Sequence, residues 1–323
     1  MTLWLGILAG LAMLAVGGDL LVRGASSAAR RLGVSPLLVG LTVVGFGTST
    51  PELVTSLQAA FAGSPGIAVG NVVGSNISNS LLILGLTALI SPLVVDRRAF
   101  RRDAIALLAA TAGLTWAILQ GRLTRDMGLV GLGALLLYIL VVWLMERKSP
   151  DVEAERIEDQ AEEPSKAAPS LWIALPLVAA GMAITIYGAH LLVGGAIELA
   201  RGLGVSDTLV GLTIVALGTS LPELVTSAVA ALRKQGEVAL GNVIGSNLYN
   251  ILGILGITAV VRPVDVPDQI ARLDVWVLAA ATILMVLLAR RLGKVTRLEG
   301  MLMVIAYGAY MAWLVWSSGL QVG

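Results

Sequence analysis

Residues 20–88 recur, without a gap, 171 positions later: laid on residues 191–259, they agree at about 40 of 69 positions. Glu52 returns as Glu223 and Asn79 returns as Asn250. Both copies lie in a chain of recurring apolar runs about twenty residues long, the length that crosses a bilayer as a helix. Broken at charges and Gly/Pro clusters, the first copy gives candidate spans at 3–22, 36–61, 66–90, 104–120 and 127–145. The second gives 171–193, 207–232, 238–261, 274–289 and 299–317. Five passes is an odd number, so the second copy must enter the membrane from the opposite side. The expected architecture is an all-α polytopic membrane protein of ten transmembrane helices in two inverted five-helix repeats. Its parts are a first repeat at 1–146, a polar linker at 147–169 and a second repeat at 170–323.

Composition agrees with a membrane solvent. Apolar residues are 57% of 323 and charged residues 13%, with mean hydropathy +0.88, far too little charge to cover a soluble surface of this size. Trp4, Trp116, Trp143, Trp172, Trp276 and Trp316 fall near span ends, where interfacial aromatics belong. There is no cysteine, which excludes disulfides and thiolate metal sites. The first apolar run has no basic residue ahead of it and reads as a retained span, not a signal peptide.

Charge sets the orientation. With the N-terminus outside, seventeen of the 22 Lys and Arg fall on the inner side, and only Arg122, Arg125, Arg201, Arg262 and Arg272 fall outside. The repeats obey the same rule locally: Ala62-Gly63 becomes Arg233-Lys234, while Arg23 and Arg31 become Gly194 and Gly202. The expectation is a multi-pass inner or plasma membrane protein with both termini outside. Residues 146–169, rich in Asp and Glu between Pro150, Pro164 and Pro169, read as a solvated cytoplasmic linker. They lack the glycine turn and ligand spacing of an EF-hand loop.

The polar residues inside the spans are concentrated in two phrases per copy. The first is Gly47-Thr48-Ser49-Thr50-Pro51-Glu52, repeated as Gly218-Thr219-Ser220-Leu221-Pro222-Glu223. The second runs from Gly70-Asn71 to Gly74-Ser75-Asn76, repeated from Gly241-Asn242 to Gly245-Ser246-Asn247. Pro51 has no N–H, so the carbonyl of Gly47 loses its helical donor, a loss tolerated in hydrocarbon only if protein, water or an ion makes it good. Thr48 and Ser49 stand four and three residues before Glu52 and share its helical face, and Gly45 extends that stripe with a carbonyl. Thr219, Ser220, Glu223 and Ala216 repeat the arrangement. Ser75 with Asn79, and Ser246 with Asn250, are again four apart.

These groups are all oxygen donors, which suits hard cations; Ca2+ takes about 6–8 oxygens. Two glutamates in apolar spans without a basic partner cannot both stay ionised unless cations neutralise them, and their two charges match one Ca2+. A proline kink in one span is often only packing, and Gly-rich phrases can serve close helix contact. The same acid at two repeat-related positions favours a functional site. Asn71 and Asn242 are read as caps or as amides bridging helices, with direct ligation the alternative, and Asp19 and its repeat partner His190 as interfacial.

At these phrases the sequence resembles the cation/Ca2+ exchanger superfamily, specifically the prokaryotic sodium/calcium exchanger (calcium/sodium antiporter) branch, over essentially its whole length. The resemblance implies antiport of Na+ against Ca2+ by alternating access, with no cofactor and no enzymatic activity. It implies as ligands Thr48, Ser49, Glu52, Ser75, Asn79, Thr219, Ser220, Glu223, Ser246 and Asn250, with the carbonyls of Gly45 and Ala216. It also implies that the first and sixth spans slide across the other eight. Asn250 departs from members that carry Asp there; in K+-dependent members that acid is associated with K+ co-transport, so Asn250 argues against K+ dependence. The linker is too short for a folded regulatory Ca2+-binding domain.

The rival reading is a Ca2+/H+ antiporter of the same fold, which is expected to carry an acid in the phrase after its Gly-Asn. Here both phrases continue to Gly-Ser-Asn, which favours Na+. A channel would need a continuous pore, and inverted repeats with broken helices favour alternating access. An intramembrane protease would need a Ser/His pair, metal ligands or an aspartyl pair, and the one histidine sits near a span end. Expected partners are the ions and the lipid bilayer, not nucleic acid, and one chain holding both repeats suffices as a monomer.

Overall fold

Charged residues end an apolar run without ending a helix, and this governs where the helices stop. The computed structural model describes residues 2–94, 97–146, 170–202 and 216–317. Helix α1 (Thr2–Leu32) continues for ten residues past the expected end of the first span, through Arg23, Arg30 and Arg31. Arginine is a good helix former, and only its charge is unwelcome in lipid. The same reason starts α5 (Arg97–Leu119) seven residues early. The other elements of the first half are α2 (residues 36–48), α3 (Thr50–Phe61), α4 (residues 65–90) and α6 (Arg125–Glu146). In the second half come α7 (Leu171–Gly202), α8 (Ala216–Gly218), α9 (Leu221–Leu232), α10 (residues 236–261), α11 (residues 270–292) and α12 (Arg297–Ser317). The first part of the expected seventh span, and the linker at 147–169, lie outside the described residues.

Among the described residues, seven helices are long and apolar enough to cross a bilayer, or eight when the bent pair α2–α3 is taken as one span. Helix α9 is a shorter apolar helix. The central pair α4 and α10 is the most enclosed, while α1, α6 and α7 turn much of their apolar surface outward, as lipid-facing helices do. All six end-placed tryptophans are exposed.

The sequence repeat is a structural repeat, element by element. Shifted by 171, α3 falls on α9, and α4 falls on α10 with its internal π-helical turn: Ser78–Ile83 on Tyr249–Ile254. Four two-residue strands tie the halves together. Strand β1 (Leu93–Val94) pairs antiparallel with β4 (Lys294–Val295), and β2 (Arg122–Leu123) with β3 (Val264–Asp265). Each ladder therefore joins one half to the other, and Arg122 faces Asp265 across one of them at 3.4 Å.

Two close helix contacts frame the centre. Helices α1 and α7 pack along each other through glycines seven residues apart, Gly10, Gly17 and Gly24 against Gly181, Gly188 and Gly195. A Cβ on Gly17 would stand 2.6 Å from the backbone nitrogen of Thr185, so the backbones meet without side chains between them. Helices α2 and α10 meet in the same way: a Cβ on Gly40 would lie 2.7 Å from the carbonyl oxygen of Val238, and one on Gly245 would strike Leu41. At one end of the molecule α1 is also held by charge. Asp19 is bonded to Arg233, which caps α9, and to Arg23 at 2.8 Å, while Ser26 donates to Gln235 at 2.8 Å.

Candidate functional site

Proline sets the site. Pro51 and Pro222 each stand in the first turn of a helix, where a missing N–H costs least, and the preceding helix breaks at Ser49 and Ser220. Ser49 has φ −82° and ψ 11°, Ser220 φ −88° and ψ 6°, so the two breaks share one backbone geometry. Between α2 and α3 the axis bends by 42°. Backbone N–H groups at that break still reach the carbonyls of Gly45 and Gly47, so the carbonyl that Pro51 deprives of its donor is taken up by a tighter turn. The bend places Glu52 in the first turn of α3, and the second break places Glu223 in the first turn of α9.

Both carboxylates are enclosed, Glu52 at 0% and Glu223 at 1% exposure. They are close enough to act on each other electrostatically. The hydroxyls that serve them come from opposite halves: Ser49 donates to Glu223 Oε1 at 2.7 Å, and Ser220 donates to Glu52 Oε1 at 3.2 Å. Thr48 likewise faces Glu223, and Thr219 faces Glu52. Sequence spacing had put each hydroxyl on its own glutamate's face; in the fold the bonds cross. The reason is the break itself, because Ser49 and Ser220 occupy the non-helical residue and turn away from the helix that follows. No basic side chain contacts either glutamate among the described residues; the second oxygens, Glu52 Oε2 and Glu223 Oε2, are buried without a hydrogen bond.

The second phrases close the cavity from α4 and α10. Ser246 donates to the Gly45 carbonyl at 3.1 Å, and Asn250 donates from Nδ2 to Ser75 Oγ at 3.1 Å. Ser75 itself donates to Val72 O. Asn79 is buried with both side-chain polar atoms unpaired, and Asn250 Oδ1 is unpaired as well. Asn79 and Asn250 both stand in the π-helical turns, where the wider winding leaves backbone and side chains out of the usual ladder. Ala216 begins α8 one turn before Ser220, the counterpart of Gly45.

Asn71 and Asn242 are not caps, because α4 begins at Pro65 and α10 at Gly236, well before them. They bridge helices. Asn71 Nδ2 donates to Glu52 O at 3.0 Å and Ser56 Oγ at 2.9 Å; Asn242 Nδ2 donates to Glu223 O at 3.2 Å and Ser227 Oγ at 2.9 Å. Ser56 and Ser227 were not singled out in the sequence, although each lies four residues after its glutamate and so shares its face. Another such contact is Asn247 to Ser80 Oγ at 2.9 Å. Asp19 is half-buried in its ion pairs, whereas His190 is exposed and stacks on Tyr187.

The chain has close counterparts among known proteins. CaxA of Alkalimonas amylolytica is 38% identical over 315 residues, covering 97% of this chain and 98% of that protein. The sodium/calcium exchanger MaX1 of Methanosarcina acetivorans is 32% identical over 337 residues, with 94% and 96% covered. The solved structure of the sodium-calcium exchanger NCX_Mj soaked with zero Na+ and Ca2+ superposes with a TM-score of 0.82 at 33% identity, over 97% of this chain and 99% of that one. The profile of the family described as sodium/calcium exchanger protein matches residues 2–145 and 173–316, nearly everything outside the linker. With two buried glutamates at repeated helix breaks and these likenesses along its whole length, the chain belongs to the sodium/calcium exchanger protein family.

Proposed function

We propose that the chain is a secondary antiporter that exchanges Na+ for Ca2+ at one central site between its two halves. One observation carries this reading: two enclosed glutamates, each bonded by a serine of the opposite half, each with one oxygen left unpaired and, among the described residues, no basic side chain against it. An uncompensated pair of buried carboxylates is expensive, and a divalent cation offsets both charges at once. The cargo ion is held by Glu52 and Glu223 together with Thr48, Ser49, Thr219, Ser220, Ser75, Asn79, Ser246 and Asn250. The carbonyls of Gly45 and Ala216 complete the set. The unpaired atoms of Glu52, Glu223, Thr219, Asn79 and Asn250 fit this role, since ions supply the partners those oxygens lack.

The exchange step follows from the same geometry. Na+ ions compete with Ca2+ for the carboxylates, so the site passes between loaded forms without exposing two bare charges to lipid. The α1–α7 pair, packed backbone to backbone, moves as one body across the remaining helices and opens the site to alternate sides. In this reading the ten passes form two inverted repeats, 1–146 and 170–323. Both termini face outward and the acidic linker 147–169 is cytoplasmic, as the distribution of Lys and Arg supports.

The test is uptake of radiolabelled Ca2+ into proteoliposomes under an imposed Na+ gradient or an imposed pH gradient. The expected result is uptake driven by Na+ and not by pH, and its loss in both Glu52→Gln and Glu223→Gln with the proteins still folded. Uptake driven by pH alone moves the protein to H+ coupling, and transport surviving in both variants removes the glutamates from the site.

A further inference from the structure

We propose that Asn242 is a positioning residue for the ion site: its one amide holds the Glu223 turn and the Thr48 hydroxyl, ligands from opposite halves, in register. The inference rests on the exchanger reading of the site. Asn242 is fully buried on α10. Its Nδ2 donates to Glu223 O at 3.2 Å and to Ser227 Oγ at 2.9 Å, and its Oδ1 accepts from Thr48 Oγ1 at 3.2 Å. A backbone carbonyl can only accept, so the contact with Glu223 O fixes which way the amide points. Its oxygen is thereby committed to Thr48. With both amide protons donated and Oδ1 accepting from Thr48, Asn242 is held from both halves.

The consequence lies in where the Thr48 proton goes. That hydroxyl has one hydrogen and, besides the Glu223 carboxylate it faces, three acceptors in reach: Val44 O at 3.1 Å, Gly45 O at 3.3 Å and Asn242 Oδ1 at 3.2 Å. Threonine in a helix ordinarily donates back to the carbonyl one turn earlier. Donated there, the proton would occupy backbone carbonyls at the break, including that of Gly45. Donated to Asn242, it spares the Gly45 carbonyl, which already accepts from Ser49 N–H and Ser246 Oγ, a further proton, and leaves the threonine lone pairs to a cation held beside Glu223.

The repeat supplies an internal control. Asn71 makes the same two donor contacts to its own half, Glu52 O and Ser56 Oγ. The acceptor arm is not repeated, since Thr219 Oγ1 forms no hydrogen bond to it. Asn71→Ala and Asn242→Ala therefore lose matching helix-bridging bonds, and only Asn242→Ala also loses the link to Thr48.

The experiment measures half-saturating Ca2+ and maximal rate for Na+-driven uptake by the full chain, with the Ca2+-induced rise in thermal midpoint as an equilibrium readout. Asn242→Ala is expected to raise the half-saturating Ca2+ about tenfold above that of Asn71→Ala, the loss of one buried hydrogen bond to a ligand. Its maximal rate should stay close to that of Asn71→Ala. Ser227→Ala, which removes a bridging partner and leaves Thr48 held, should stay within about twofold of wild type. Asn242→Ser, too short to span both contacts, serves if the alanine variant does not fold and is expected to show the same shift. Equal shifts in the Asn71 and Asn242 variants, or an equal shift in Ser227→Ala, overturn the inference and leave Asn242 a packing residue. A wild type without any Ca2+ response overturns the exchanger reading, and this inference with it.

Discussion

At Ser49 and Ser220 each half of the chain lends a hydroxyl to the other half's carboxylate, and this crossing is the chemical centre of the proposed exchange. Hydrogen bonds to ionised groups contribute roughly 1.5–3 kcal/mol each, too little to offset two buried charges, so the remaining stabilisation falls to ions. Asn250 makes the balance adjustable. Its Nδ2 bonds Ser75 while its Oδ1 is free, so Asn250→Asp adds a third acid among the same oxygens with almost no change of shape. A like charge strengthens proton binding by its neighbours. Exchange in this variant should therefore fail at higher pH than in wild type as the medium is acidified, measured as Na+-driven Ca2+ uptake against pH; superimposable profiles would remove Asn250 from the site. The residue types of this centre were legible in the chain, because carboxylates and prolines stand out in apolar spans. Which hydroxyl meets which carboxylate was not: spacing along a helix assumes that the helix continues, and Ser49 and Ser220 are where it stops.

Helices here approach as closely as their glycines permit, and their stability should depend on that. A Cβ on Gly245 would strike Leu41 across the α2–α10 contact, whereas one on Gly133 of α6 meets nothing within 4 Å. Gly245→Ala should destabilise the protein by about 1–3 kcal/mol through forced separation of the backbones. Gly133→Ala should stabilise it by up to about 1 kcal/mol through helix propensity. Thermal unfolding in detergent reads both, and shifts of the same sign would contradict the packing argument. The tie between α1 and α9 makes a second comparison. Asp19 and Arg233 are each about one-third exposed, 31% and 32%, and Arg23 is 58% exposed. Arg233→Gln should cost about 1 kcal/mol and Arg23→Gln less than about half of that, again by thermal unfolding. Equal losses would mean that the two arginines share Asp19 evenly. Neither the tie nor the lengths of α1 and α5 were visible in hydropathy. Hydropathy reports where lipid ends, while helices run on through arginine, and Asp19 meets a residue 214 positions away.

Across the whole molecule, the repeat that was plain in the sequence is kept in the elements, and the departures from symmetry are where the site is made specific. The helix breaks, the π-helical turns of α4 and α10, and strands β1 and β3 recur at the same offset, with β2 and β4 one residue from it, so the duplicated pattern of apolar runs was enough to anticipate two matching halves. Symmetry alone did not reveal that Thr48 is held by Asn242 while Thr219 is not held by Asn71, nor that Asp19 is paired with Arg233, whose repeat counterpart is the uncharged Ala62. Both differences arise from contacts between halves, which no single copy of the pattern contains. The strand ladders carry the same lesson further. Every strand of one half finds its only ladder partner among the described residues in the other, as each glutamate finds its serine. A lone half is thus an incomplete object, with two open sheet edges and a carboxylate lacking its hydroxyl. Such a fragment could regain both only by taking up a complementary fragment, so the smallest unit that can assemble the proposed ion site is a pair of halves, whether or not a peptide bond joins them.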